Sequence, residues 1–333
     1  MDVMQADPGL WQVADIDDAT QVGASRRIAA RLAEFAELPE TIAGQLGLVV
    51  VELATNLFKH AQRGRLFVRV EGQGEAAVAD VVAVDDGPGM DLERCFHVGF
   101  STFGTSGTGL GAVRRAATLF DAYSDARGSV LFARLGTQPG PRRGSIAIPL
   151  KGELESGDCW QFIATEGGWS AAVVDGLGHG ADAAVASRTV AEAHREFPAS
   201  PARCIAAAHE RSRATRGSAA SVVVHDARDA SLVHAGVGNV AVSLVGLQEG
   251  RGVASQNGTV GGVCPAVRET RLDAPPRTLV VMHSDGLSAR WSVHAHPGLR
   301  SRHPQVVAAT LFRDAHRTRD DATVLVIETG APA

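Results

Sequence analysis

The run GTQPGPRRG at residues 136–144 packs three glycines and two prolines into nine positions. Such a run interrupts helix and strand alike, because proline lacks an N–H and glycine loses the most conformational freedom on ordering. It divides the chain into two stretches with different apolar patterns. Ahead of it, apolar residues recur at helical spacing. Behind it, short runs of Val, Ile, Ala and Leu follow one another at strand length. A chain of 333 residues is long enough to bury two separate cores. The expectation is an α+β chain of two domains: residues 1–136, a linker at 137–144, and residues 145–333.

In the first stretch, Ile28, Leu32 and Phe35 place a helix over residues 20–37, and a second runs from about Ile42 to His60. LFVRV and VADVVAVDD read as strands, the latter stopped by DDGPG. Residues 91–108 read as a loop rich in Gly, Ser and Thr. A helix from Leu110 to about Phe120 and the strand SVLFARL complete the unit. In the second stretch SIAIPL, WQFIAT, WSAAVVD, SAASVVVHD, SLVHAGVG, VAVSLVG, RTLVVMHSD and ATVLVIE read as strands. Helices are expected at Ala181–Glu196, Pro201–Ala214 and Pro304–Ala315. This order predicts two sheets with helices packed outside.

Composition removes several classes of function. A net charge of −5 with scattered basic residues gives no nucleic-acid surface. Cys95, Cys159, Cys204 and Cys264 have no metal-ligand spacing and read as reduced thiols. MDVMQADPGL lacks the basic start and apolar core of a signal peptide. The apolar run from Leu46 to Phe58 is interrupted by Glu52 and Asn56, as in a core helix rather than a membrane span. A cytoplasmic protein without a membrane partner is expected.

Glu52 and Asn56 are four residues apart and share one helix face. An acid and an amide in an apolar helix are costly unless paired, a cost explained if both face a ligand. Asn can offer its carbonyl to Mg²⁺, and Glu can accept a proton from an attacking hydroxyl. Asp85 ends a strand, where its carboxylate can accept from an adenine amino group, and Gly87 and Gly89 let backbone approach a flat ring. Gly107, Thr108, Gly109, Leu110 and Gly111 open a helix whose free N–H groups suit phosphates. In this order the three pieces resemble the N, G1 and G2 boxes of the GHKL ATPase and kinase superfamily. ELATNLFKHAQRG, VDDGPGM and GFSTFGTSGTGLGAVRRAATLFDAYS bring the resemblance close to the RsbT-type switch kinases, over about residues 12–135. Anti-sigma kinases share the same boxes. The resemblance implies a Bergerat-type α/β sandwich that binds Mg-ATP and phosphorylates Ser or Thr on STAS-domain proteins. It makes Asn56 the Mg²⁺ ligand and Asp85 the adenine anchor. Gly87, Gly89 and Gly107 to Gly111 become nucleotide contacts, and Glu52 the base. It also makes residues 91–106 a short lid.

The second stretch carries acids at four points: Asp158, Asp175-Gly176, Asp285-Gly286 and Asp320-Asp321. Carboxylate oxygens suit Mg²⁺ or Mn²⁺, and two such ions can turn a bound water into a nucleophile at neutral pH. Gly176 leaves its backbone carbonyl free to join the shell. With GVGN at 236–239, the pattern resembles PPM-type phosphatases of the SpoIIE and RsbX branch, over about residues 143–330. The resemblance implies a β-sandwich flanked by helices that hydrolyses phosphoserine or phosphothreonine in proteins. It makes Asp158, Asp175, Gly176, Asp285 and Asp320 the ligands of two Mn²⁺ or Mg²⁺ ions. Asp321 is expected to support the site, His179 to lie near it, and residues 288–303 to form a mobile flap.

Together these imply a switch protein that phosphorylates a STAS-domain partner and reverses that step. A second reading makes the N-terminal domain a binding module, for ATP or a downstream regulator, that gates the phosphatase.

Overall fold

The computed structural model describes residues 11–61, 64–92, 109–137 and 141–330. Gly107, Thr108, Cys95, most of the expected lid and part of the linker lie outside them. The chain forms two compact units. The first comprises residues 1–139 together with 301–313; the second comprises 140–300 and 314–333. The units part within the expected linker, but residues 301–313 fall in the first unit rather than in the C-terminal domain expected for them.

The first unit holds a five-stranded antiparallel sheet in the order β1-β2-β3-β5-β4. Its strands are β1 (Gln12–Asp15), β2 (Gly64–Glu71), β3 (Val78–Asp85), β4 (Leu119–Asp125) and β5 (Gly128–Leu135). Its helices are α1 (Ala19–Phe35), α2 (Glu40–Asn56) and α3 (Gly109–Ala116). Asp18 caps α1, accepting from the Thr20 and Gln21 amides. The helix expected to reach Phe120 stops at Ala116, and Leu119–Asp125 instead pairs with β5 along its whole length. The apolar spacing around Phe120 suits a helix, but as an edge strand the segment pairs its inward-facing backbone groups with β5.

Alternation along the strands gives this sheet two apolar faces. Leu66, Val68, Ala79, Val81, Ala83, Leu131 and Ala133 meet Leu46, Val49, Val50 and Leu53 of α2 in one core. By length and mean hydropathy (1.4), Glu40–Ala61 is also long and apolar enough to cross a bilayer. Its apolar stripe is used in this core instead. The opposite face carries Phe67, Val82, Val84 and Phe132, all buried. The helix α6 (Pro304–Ala315) supplies residues to this face. Phe312 stands edge-on to Phe67 with ring centroids 5.7 Å apart, and His303 lies 5.1 Å from Phe132. His303 N–H donates to Asp121 Oδ2 at 2.5 Å, pinning the segment to β4.

The second unit contains two five-stranded antiparallel sheets. One has the order β13-β10-β9-β8-β7, built from β7 (Asp158–Thr165), β8 (Gly168–Gly176), β9 (Ser218–Asp226), β10 (Ser231–Val237) and β13 (Thr270–Asp273). The other has the order β12-β11-β14-β15-β6, built from β6 (Arg143–Ile148), β11 (Ala241–Val245), β12 (Gly250–Val253), β14 (Leu279–His283) and β15 (Ala322–Glu328). Ala171 and Val173 of β8 share one core with Val280, Met282, Leu325 and Ile327 of the facing sheet. Their neighbours Ala172 and Val174 point the other way, into a core with Val190 of α4 (Ala181–Glu196) and Ile205 and Ala208 of α5 (Pro201–Arg211). Strands buried on both faces need near-continuous apolar sequence, which β8 and β9 have.

Candidate functional sites

In the first unit, α2 ends at Asn56 and runs into one π-helical turn, Leu57–Ala61. Such turns break regular hydrogen bonding and are common at functional positions. Asn56 Nδ2 is buried without a hydrogen-bond partner among the described residues. A buried amide left so costs free energy, and a ligand in this position would recover it. Glu52, one turn earlier, reaches the start of α3. A side-chain carbon on Gly109 would stand 2.6 Å from Glu52 Oε2, so any larger residue there would push the Glu52 carboxylate aside. Leu110 and Gly111 continue α3.

Asp85 ends β3 and is almost fully buried. Its Oδ1 accepts the Gly87 amide at 2.8 Å. Burial pushes its pKa up, opposed by the amides of Gly87 and Ser129 and by the Arg313 charge. Asp85, Gly87 and Gly89 therefore lie on one loop, and Glu52, Asn56 and Gly109 at one end of α2. An unpartnered amide, a buried acceptor and a side-chain-free helix start suit an adenine nucleotide.

In the second unit, Asp158 begins β7 directly opposite Asp175 on β8. Asp285 follows β14 and Asp320 precedes β15, at adjacent ends of two paired strands. The four acids are thereby drawn to one end of the sandwich. Ser284 Oγ donates to Asp158 Oδ2 (2.5 Å) and accepts the Thr323 amide (3.0 Å). Asn239 Nδ2 donates to Asp285 Oδ2 at 2.8 Å. Asp321 accepts the Leu150 amide through Oδ1 and the Gly157 amide through Oδ2, at 2.7 and 2.8 Å. Both its oxygens are spent on backbone, tying three segments below the acids. Gly286 has no freedom to carry a side chain, since a carbon there would lie 1.9 Å from Asp321 O.

Repulsion is written into this cluster. Burial and the carboxylates of Asp285 and Asp320 push Asp175 up to about 7. Burial, then Asp175, holds Asp158 well above the usual carboxylate range. Burial and Asp320 raise Asp285. No three His, Cys, Asp or Glu side chains among the described residues close on a single ion position. The Gly176 carbonyl lies at the same strand end as Asp175. The all-oxygen donor set fits Mg²⁺ or Mn²⁺.

Sequence reasoning gave no role to Ser284 or Arg317, and used Asn239 only within GVGN without assigning it one. Arg317 is exposed beside Asp285: its amide donates to Gly286 O (2.7 Å) and its Nη1 to Asp285 O (3.3 Å). A lone serine or arginine near a turn carries no pattern to single it out. His179 pairs with Glu153 at 2.6 Å. The expected flap at 288–303 is anchored: Trp291 Nε1 donates to His283 Nε2 at 3.1 Å, and buried His296 lies 3.2 Å from Asp314.

One unit thus gathers Glu52 and Gly109 at the junction of α2 and α3, and the other gathers acids at one end of a sandwich. Residues 17–135 match the histidine kinase-like ATPase domain family, and residues 165–330 match the family of stage II sporulation protein E, SpoIIE. The protein thus joins a GHKL-like ATPase domain to a SpoIIE-type PPM phosphatase domain. No curated protein sequence matches the chain. Among solved structures it is similar to one from work on the bacterial stressosome as a modular system controlling secondary messenger signaling. That likeness has 23% identity and a TM-score of 0.53, covering 57% of this chain and 100% of the other. It is also similar to RsbX in complex with magnesium, at 18% identity and a TM-score of 0.50, covering 57% and 97%. At these identities the likeness is one of fold.

Proposed function

We propose that the protein is a cytoplasmic switch enzyme acting on STAS-domain regulators. Its C-terminal domain removes phosphate from Ser or Thr, and its N-terminal domain uses Mg-ATP to add it. The observation that carries the phosphatase reading is the set of carboxylates gathered at one sandwich end, with Asp175 pushed up to about 7. Asp158, Asp175, Asp285, Asp320 and the Gly176 carbonyl would hold two Mn²⁺ or Mg²⁺ ions. When bound, such ions lower the pKa of a coordinated water and polarise a phosphoryl group. Ser284 orients Asp158, Asn239 orients Asp285, and Asp321 fixes the backbone that carries Asp320. In the other domain Asn56 would hold Mg²⁺, Asp85 the adenine, and Glu52 would take the proton of the attacking hydroxyl.

The test is direct. The full-length chain with Mn²⁺ should release phosphate from a phosphorylated STAS protein, and Asp175→Asn should abolish release. With Mg-ATP it should phosphorylate the unmodified partner, and Asn56→Ala should abolish transfer. Undiminished transfer by the Asn56 variant would sink the kinase assignment.

The gating reading, in which nucleotide or a regulator binds without transfer, is favoured by one observation: residues 301–313 fold with the ATPase-type unit. Radiolabelled ATP separates the two. Binding with no labelled partner supports gating, and a labelled partner supports the kinase.

A further inference from the structure

The geometry points to Arg313 as a positioning residue for adenine-nucleotide binding, bracing the β4–β5 turn against the loop Asp85–Gly89. This rests on reading that loop as the base-binding edge of a nucleotide pocket. Arg313 lies near the end of α6, 188 residues beyond Asp125 in sequence, yet within the same compact unit. Its side chain is 1% exposed, and its Nη2 donates to Asp125 Oδ1 at 3.1 Å.

Asp125 is the last residue of β4 and pairs with Gly128 across a two-residue turn. That turn and the Asp85–Gly89 loop interlock through backbone. A side-chain carbon on Gly89 would lie 2.2 Å from Asp125 O, and one on Gly128 would lie 1.9 Å from Asp85 O. Both glycines have positive φ, +79° and +127°. Ser124 Oγ, next to Asp125, accepts the Met90 amide at 2.7 Å. A displacement of the turn must therefore move the loop. Arg313 holds the turn from beneath by a charge pair with little access to water, where such a pair is weakly screened. Its charge also opposes the effect of burial on Asp85, favouring the carboxylate form that accepts from an exocyclic amine. The effect falls on the base end of the pocket. Guanine offers a carbonyl where adenine offers the amine, so base preference reports on it and general stability does not.

Isothermal titration of ATP and of GTP with Mg²⁺ into the full-length chain tests the inference. The chains compared are the wild type, Arg313→Met, Arg313→Lys, Asp125→Asn and the Arg313→Met/Asp125→Asn pair, each with a thermal melt. ATP should bind about tenfold more weakly to Arg313→Met, with a smaller change for GTP. Lys should restore part of the loss, and the double variant should be no weaker than the poorer single one. Folded Arg313→Met and Asp125→Asn chains with wild-type ATP affinity would overturn the role. If Arg313→Met fails to fold, Asp125→Asn decides, because its side chain is partly exposed. A wild type that binds no ATP would instead overturn the nucleotide-pocket reading beneath it.

Discussion

Single residues show where apolar patterning was deliberately broken. Asp80 sits in the middle of β3, with Arg69 opposite on β2 and Arg134 opposite on β5. It accepts from Arg69 Nη2 at 2.9 Å and from Arg134 Nε and Nη2 at 2.7 and 2.9 Å. Burial would raise its pKa, but the hydrogen bonds and charges of Arg134 and Arg69 hold it below the ordinary value. Asp80→Asn removes the one carboxylate shared by two buried guanidiniums, while Arg69 keeps Glu71 at 3.1 Å, and should cost about 3 kcal/mol in urea unfolding. His194 gives a second test. Its ring lies between Ser170 Oγ and Gln161, and burial depresses its pKa from 6.5 to about 4. Above pH 6.5 the ring is neutral in folded and unfolded chains alike, and it adds no pH dependence. As pH falls from 6.5 to about 4, the unfolded chain alone takes up the proton, so stability falls, by ~3 kcal/mol in all. His194→Gln should flatten the stability–pH curve over that window, as followed by urea midpoints. The acids at 158, 175, 285 and 320 were legible because an acid at a strand end, repeated in order, is a pattern. The role of Ser284 was not, because a bond across 126 residues leaves no local mark, and GVGN marked Asn239 without naming Asp285 as its partner.

Elements were legible where one short-range period dominates. The helices at Ala181–Glu196 and Pro304–Ala315 fall where apolar spacing places them. Leu119–Asp125 does not, because a seven-residue segment carries too few periods to outvote a ladder with β5. What α6 packs against was also hidden. A helix pattern says that a face must be buried, not which surface buries it. Phe312 is fully buried and stands on Phe67, so Phe312→Ala should cost about 3–5 kcal/mol. The loss should appear in the unfolding of the first unit, followed by Trp11 fluorescence in a variant whose other tryptophans are replaced. Gly286→Ala would drive a carbon into Asp321 O, and should lower both stability and phosphatase rate.

For the whole molecule, the Gly/Pro run announces two units, and the two family matches fall on either side of it. The return of residues 301–313 to the first unit is a tertiary event that no local signal records. Crowded carboxylates also make the second unit a reporter of its own cations. Mn²⁺ should raise its Tm, since bound charge relieves the repulsion that lifts Asp175 to about 7. Asp175→Asn should shrink that gain, and chelator should erase it.

The split membership of the first unit has a practical and an evolutionary edge. Three crossings of the backbone, at 139–140, 300–301 and 313–314, knit two units that a gene map would draw as consecutive. A protease nick in the linker should therefore produce fragments that co-migrate until denatured, as pieces of a clipped protein do. A clone ending at the linker would bare Phe67 and Phe132 and should be recovered as insoluble material. The SpoIIE-family match runs through residues 301–313, so a cassette cut at the linker would take with it a thirteen-residue stretch that packs in the first unit.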